Sequence, residues 1–221
     1  MKPFRLNILV IMLLFYSNLF SQKKITDGTI VYDIVIEREG KSPAIADAFK
    51  GAVTTVYLNG LRSRTDMIST LGTESTIYHA ETGKAVILKE YSSQKLMITL
   101  TKDNWTEMNK GSDDIVFENT GESKTVAGYN CKKAIAKLKD GKSYTVFYAT
   151  ELNAGKNEYN PVFTNLPGLV LEYEIVTGKT TFKYSLASIN FDAVASSKFD
   201  FPKTGYRVMT YDENKNLKKG N

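Results

Sequence analysis

Between Val53 and Thr101 the chain repeats one pattern: a short segment of alternating apolar and polar residues, then a break of turn-forming residues. The segments are Val53 to Leu58, Leu61 to Ile68, Thr73 to His79, Lys84 to Glu90 and Gln94 to Thr101. Asn59-Gly60, Leu71-Gly72, Thr82-Gly83 and Ser92-Ser93 divide them. Alternation with period two marks half-buried strands. Connections this short permit only antiparallel neighbours, since a parallel crossover needs about a dozen residues. The block is therefore a meander, and Asn59-Gly60 is its clearest two-residue hairpin turn.

The same signal extends in both directions. Ile30, Tyr32, Ile34 and Ile36 alternate with Val31, Asp33, Val35 and Glu37 in a first strand. Asp114 to Glu118, Glu122 to Ala127, Lys132 to Leu138, Tyr144 to Thr150, Leu169 to Val176, Thr180 to Phe191 and Tyr206 to Tyr211 continue the series. Two interruptions read as short helices: Pro43 to Lys50, between Ser42 and Gly51, and a turn or two opening at Asn104 with Glu107 three positions on. Twist accumulates across so many strands, so a flat sheet is excluded. The expected fold is mainly β with two or more short helices, its antiparallel sheet curled into a half-barrel. Pro167-Gly168 precedes the Leu169 strand, where Pro fixes φ and Gly permits a positive φ, so the pair makes a tight turn into the sheet.

The chain opens with Lys2 and Arg5, an apolar run to Phe20 and a polar Ser21-Gln22-Lys23-Lys24, the arrangement of a secretory signal peptide. Its strongly apolar part, Ile8 to Tyr16, is shorter than the about 20 residues that span a bilayer, so no permanent transmembrane anchor is expected. The predicted organisation is a signal peptide over 1–21, cleaved after Ser21 or one residue later, a single β-rich domain over 22–211, and a polar basic tail over 212–221. The expected location is the periplasm, with secretion or a peripheral place at the outer membrane as alternatives. Loss of Lys2 and Arg5 takes the 29 basic residues to 27 against 24 acidic ones, a net charge of +3 that is too mild to point to nucleic acid. Cys131 is the only cysteine, so no internal disulfide can form and the core must hold the fold alone.

A curled sheet has a concave face, and 13 Tyr and 11 Phe can make that face apolar and shaped. Tyr32 and Ile34 on the first strand and Tyr148 on a later one are its expected lining. Trp105 and the turn from Leu166 to Leu169 place large apolar residues on connections that are usually polar, which suits either the rim of a cavity or a cap on the core. Arg62 and Arg64, two apart on a strand, share a face and form either a solvated surface or a contact for an acidic partner. Signals for catalysis are poor. The single His79 ends a strand, no nucleophile elbow surrounds a serine, and no cysteine-protease signature surrounds Cys131. One His and one Cys do not furnish a zinc site. The calcium-like run Asp212, Asn214, Asn216 has Leu217 where the loop needs Gly. Gly121-Glu122-Ser123-Lys124 lacks phosphate-loop spacing, and Glu172 and Glu174 read as exposed strand residues. No cofactor or metal is expected.

Four motifs carry a family resemblance over most of the mature chain: Asn59-Gly60-Leu61-Arg62-Ser63-Arg64, Ala127-Gly128-Tyr129-Asn130-Cys131-Lys132-Lys133-Ala134, Leu166-Pro167-Gly168-Leu169-Val170-Leu171-Glu172, and Phe201-Pro202-Lys203-Thr204-Gly205-Tyr206-Arg207-Val208-Met209. The chain resembles exported bacterial domains of unknown function that are similar to the periplasmic lipoprotein carriers LolA and LolB, close to the group named for its GLPGLI signature. Asn165 stands for that signature's first Gly and Val170 for its final Ile. The resemblance implies a half-barrel capped by helices that binds lipid or lipoprotein tails. The expected function is a non-enzymatic periplasmic binder or carrier of an apolar small molecule or acyl chain. An envelope protein-protein interaction module and a hydrolase with an unrecognised site are the alternatives.

Overall fold

The computed structural model describes residues 22–38, 47–154, 159–177 and 180–219. The predicted signal peptide lies outside them, as does most of the first predicted helix, of which Asp47 and Ala48 are helical. In chain order the strands are β1 (Lys23–Lys24), β2 (Asp27–Arg38), β3 (Val53–Asn59), β4 (Arg62–Ser69), β5 (Gly72–His79), β6 (Lys84–Tyr91), β7 (Gln94–Leu100), β8 (Val116–Val126), β9 (Tyr129–Lys137), β10 (Ser143–Ala149), β11 (Leu152–Asn153), β12 (Leu169–Thr177), β13 (Thr180–Asn190) and β14 (Arg207–Thr210). Helix α1 spans Lys102–Met108 and α2 spans Tyr211–Lys219.

Twelve strands form one sheet in the order β14-β7-β6-β5-β4-β3-β2-β13-β12-β10-β9-β8, while β1 and β11 pair separately. The meander from β2 to β7 is antiparallel throughout, as the short turns from β3 to β7 require; β2 and β3 are antiparallel as well, although fourteen residues separate them. The first turn sits one residue later than the sequence suggests. Asn59 pairs with Arg62, so Gly60-Leu61 is the loop, and Gly60 takes a φ of 60° at its first central position. Asn59 is thereby placed to donate its side-chain amide to the Val194 carbonyl at 2.8 Å.

The sheet has to curl. From β7, second in the order, to β8 at the far edge, ten steps of about 4.8 Å would measure about 48 Å if flat. The connection holds seven helical residues, rising about 10 Å, and roughly eight others that reach at most about 27 Å. A chain this short joins the two ends only because they bend towards each other. The sheet is unclosed, with β14 and β8 at its edges.

Register defines two faces. Tyr32 stands opposite Leu186 and Thr54, Ile34 opposite Tyr184, and Tyr184 opposite Tyr173, so these side chains share what we call the tyrosine face. Ile77, Val86 and Leu88 point the other way, together with Tyr57 and Met97. Residues 191–206 cross that second face as a strap, burying Phe199 completely against Ile77, Val86 and Leu88. The strap delivers β14 to the edge parallel to β7, where an antiparallel sheet was expected. A connection of this length removes the constraint that fixed the meander.

Other local differences have local causes. The helix expected to open at Asn104 begins after Thr101: the Thr101 hydroxyl accepts from the Asn104 amide at 3.2 Å and Asn104 Oδ1 accepts from the Thr101 amide at 3.1 Å. The two strands expected on either side of Gly121 are one, β8, with a register shift between Asn119 and Ser123. Residues 212–219 are helical in α2, where a tail was expected; Thr210 and Glu213 cap it reciprocally. The lysine-rich β1 is held by backbone bonds from Lys23 N to Glu151 O and from Ile25 N to Asn153 O, with Ile25 buried behind it.

Candidate functional site

Two connections lie on the tyrosine face. One is α1, whose Trp105 stacks on Tyr78 with ring centroids 4.4 Å apart. The other is residues 159–168 before β12, whose 3-10 turn, Pro161–Phe163, lowers Phe163 and Leu166 onto Ala134, Val146, Tyr148 and Val170. Its anchor is Gly168. A Cβ there would sit 2.3 Å from the Ala149 carbonyl oxygen, so the close approach of two backbones, and not a positive φ, demands glycine in Leu166-Pro167-Gly168-Leu169.

Between this segment and the sheet is a cavity of about 760 Å³. Its walls are Tyr144 of β10, Tyr173 and Ile175 of β12, Val162 and Phe163 of the turn, and Ile115 at the end of the β7–β8 crossing. Lys142, Ser143 and Asn160 are polar at its border. Phe163 meets Tyr173 edge-on at 5.0 Å, Tyr173 stacks on Tyr184 at 4.4 Å, and Tyr32 meets Tyr173 edge-on at 6.4 Å. Burial raises the hydroxyl pKa of Tyr32 and Tyr173 far above that of a free tyrosine and pushes Tyr144 up to about 12. The Tyr32 hydroxyl donates to the Val170 carbonyl at 2.8 Å, whereas the buried Tyr144 hydroxyl has no hydrogen-bond partner among the described residues. A groove of about 250 Å³ between Trp105, Tyr78, Pro161 and Thr164, and a space of about 450 Å³ near Leu58, Tyr78 and Tyr159, lie on the same face.

The sequence-predicted residues distribute unevenly around these spaces. Trp105 walls the smaller groove beside Pro161 and Thr164. Tyr148 and Leu166 meet in the cluster under Phe163, and Leu166 is 7% exposed. Leu169 is fully buried in a different cluster with Ile30 and Tyr32, and Ile34 is buried on β2. Arg62 and Arg64 do share a face. Arg62 pairs with Glu81 at 3.1 Å, and Arg64 is engaged by Asp66 at 2.6 Å, the Ser75 hydroxyl and the Lys198 carbonyl of the strap. Tyr144, Tyr173, Ile175, Val162 and Phe163 were not singled out as site residues, although Tyr173 and Ile175 belong to the period-two series that starts at Leu169.

The groups considered for chemistry are engaged elsewhere. His79 is half-buried, its Nε2 faces the Phe199 carbonyl at 2.8 Å, and its ring stacks on Phe201. Cys131 is buried, and its thiol is pushed up to about 11 by burial, so it stays protonated. Glu172 is not the exposed strand residue expected. It is 6% exposed and lies 2.5 Å from Lys124 Nζ and 3.5 Å from Lys183 Nζ, because the β8–β9 hairpin carries Lys124 across to β12. No group of three or more His, Cys, Asp or Glu able to hold a metal occurs among the described residues.

Fold and site together define a mainly β protein whose curled, open sheet carries an aromatic cavity on one face. Residues 44–154 match the model of a domain of unknown function, DUF4412, and the chain belongs to that family. An uncharacterized conserved protein from Thermus thermophilus superposes with a TM-score of 0.50 at 10% identity, covering 84% of this chain and 91% of that one, and so shares the fold. PNGF-II superposes at 0.49 with 17% identity over 86% of this chain, which spans only 32% of PNGF-II. The Pseudomonas aeruginosa MucA/MucB complex gives 0.39 and 11% over 79% of this chain and 56% of that one. These last two superpositions are too loose to bear on function. No curated protein matches the sequence.

Proposed function

We propose that this protein is a non-enzymatic binding or carrier protein of the bacterial envelope that takes an apolar ligand, the acyl chain of a lipid or lipoprotein, into the cavity between β10, β12 and the Pro161–Phe163 turn. The observation that carries the reading is the cavity itself: about 760 Å³, within the roughly 300–1,000 Å³ usual for small-molecule sites, and walled mainly by apolar and aromatic side chains. Each buried CH₂ contributes about 0.8 kcal/mol, so a chain of about fourteen carbons gives about 11 kcal/mol before ordering costs. Micromolar binding needs about 8 kcal/mol. The engagement of His79 with Phe199 and the protonated, buried state of Cys131 favour binding over catalysis. Periplasmic residence is supported by the leader-like start of the sequence, and no helix among the described residues is long and apolar enough to cross a membrane. Kinship with the GLPGLI group is part of the same proposal, supported by the packing role of Gly168 in the motif they would share.

The test is mass spectrometry of organic extracts from protein purified out of its own envelope, followed by reloading of the delipidated protein with the lipid found. Ile175 on the cavity wall and Val35 on the other face are both partly exposed, at 43% and 51%. Ile175→Glu should weaken loading at least about tenfold by placing a charge against the chain, and Val35→Glu should leave it unchanged. The reading fails if no lipid co-purifies and added acyl compounds leave the melting temperature where it was.

A further inference from the structure

We infer that the ligand is a two-chain lipid. One acyl chain lies in the cavity walled by Tyr173 and Ile175, the second lies in the space near Leu58 and Tyr159, and the polar group joining them sits in the groove beside Trp105. This rests on the binding role proposed above and names the class of lipid that the site takes. The three spaces adjoin. Asn160, Val162 and Phe163 wall the large cavity, while Pro161 and Thr164 of the same turn wall the groove. Ile115 and Asp113 divide between the two in the same way. Tyr78 belongs both to the groove and to the space of about 450 Å³, which Tyr159 also lines. The groove is therefore the middle of the three.

Their linings follow the order that such a lipid requires. The large cavity is walled mainly by apolar and aromatic side chains. In the groove, Thr106, Asn109, Asp113 and Thr164 outnumber the stacked Trp105 and Tyr78. Beyond it the lining turns mainly apolar again with Ile25, Leu58, Leu61 and Ala154, although Lys24 and Arg62 also line that space. The two outer spaces, about 760 Å³ and about 450 Å³, each fall within the range usual for small-molecule sites. A single apolar chain filling both would have to cross the groove, where it takes water from polar groups and gives no bond in return. A glycerol backbone with two ester-linked chains places its own polar atoms there, and its methylenes on either side, where each adds to binding. The diacylglyceryl group is thus the chemistry that fits, and phospholipids and diacylglyceryl-modified peptides both carry it.

The experiment titrates the purified, delipidated protein with dipalmitoyl phosphatidylglycerol, its one-chain lyso form, a diacylglyceryl-cysteine peptide and squalane, each delivered from cyclodextrin. In the wild type the two-chain lipid should bind at least about tenfold more tightly than the lyso form with the same head group. Ala154→Phe, which enlarges a side chain lining the second space, should remove most of that advantage and leave the lyso form within about twofold. Leu61→Glu should act in the same direction, and because Leu61 is 63% exposed the variant should keep the melting temperature of the ligand-free protein. It decides the matter if Ala154→Phe fails to fold. Preference between the phospholipid and the peptide assigns the source. Equal affinity for one-chain and two-chain lipids, equal weakening of both in the folded variants, or squalane bound as tightly as the two-chain lipid would overturn the inference while the binding role stands. Uptake of none of these compounds by the wild type removes both.

Discussion

Residues 191–206 and residues 159–166 each lie across one face of the same sheet, and they are held there by different forces. The strap is latched at intervals by polar contacts: Asn59 to the Val194 carbonyl, Arg64 to the Lys198 carbonyl, His79 to the Phe199 carbonyl, and the Tyr206 hydroxyl to Glu90. Each is directional and admits one position of the backbone. On the tyrosine face the segment is seated mainly by Phe163 and Leu166, and its polar ties to the rest of the protein are fewer: a hydrogen bond between the Tyr159 and Tyr32 hydroxyls and one from the Asn165 side-chain amide to the Asp113 carbonyl at 3.4 Å. Apolar contact is not directional and grows with area, so a segment held this way can settle against a guest as readily as against its own protein. The strap completes a core, and the turn roofs a space.

Four measurements would break or sharpen this contrast. The largest effect should come from Phe199→Ala in the strap, which removes a fully buried ring and should cost about 3–5 kcal/mol in urea unfolding, with ligand affinity of the folded fraction unchanged. Phe163→Ala should cost less, about 3 kcal/mol, because that ring already borders empty volume, yet it should lower ligand affinity at least about tenfold. If the two variants affect binding alike, the faces are not functionally distinct. Alkali has the smallest effect near neutrality, since Tyr32, Tyr144 and Tyr173 are then uncharged. Tyr32, Tyr144 and Tyr173 have pKa values raised by burial over the about 10 of an unfolded chain, so the unfolded state loses these protons first. Stability should therefore be flat below about pH 10 and fall as pH rises towards the folded values, about 12 for Tyr144. Hydrogen exchange should show β10 and β12 opening before β5 and β6; the reverse order would contradict the contrast.

The meander was legible in the sequence because period-two alternation and short breaks leave one solution, and its first turn slipped only by the single residue that separates Asn59-Gly60 from Gly60-Leu61. The parallel placing of β14 was not legible, since a connection as long as 191–206 fixes no direction. Helix α2 could have been found from Thr210 and Glu213, whose spacing is that of a capping box, but the lysines after them drew the reading towards a solvated tail. Gly168 stood out for the wrong cause: its neighbour Ala149 is remote in sequence, and only the folded backbone shows the 2.3 Å approach. The cavity was least legible. Leu166 and Tyr173 are both large and apolar, and whether such a residue fills the core or walls a space depends on depth, which periodicity does not encode.

The pairing of β2 with β13 at the middle of the sheet, joining Thr29 to Asn190, governs how the protein can be made. Strands that meet over so much intervening chain lose loop-closure entropy before they gain any contact, so the meander forms early and the central seam late. Until Asn190 has been synthesised and delivered, β2 and β7 are bare edges of a ribbon of neighbouring strands, open to strands of other chains. Exposure to aggregation is thus a matter of how long the C-terminal third takes to arrive, and a chaperone that shields edges during that interval would protect the yield more than any strengthening of the finished core.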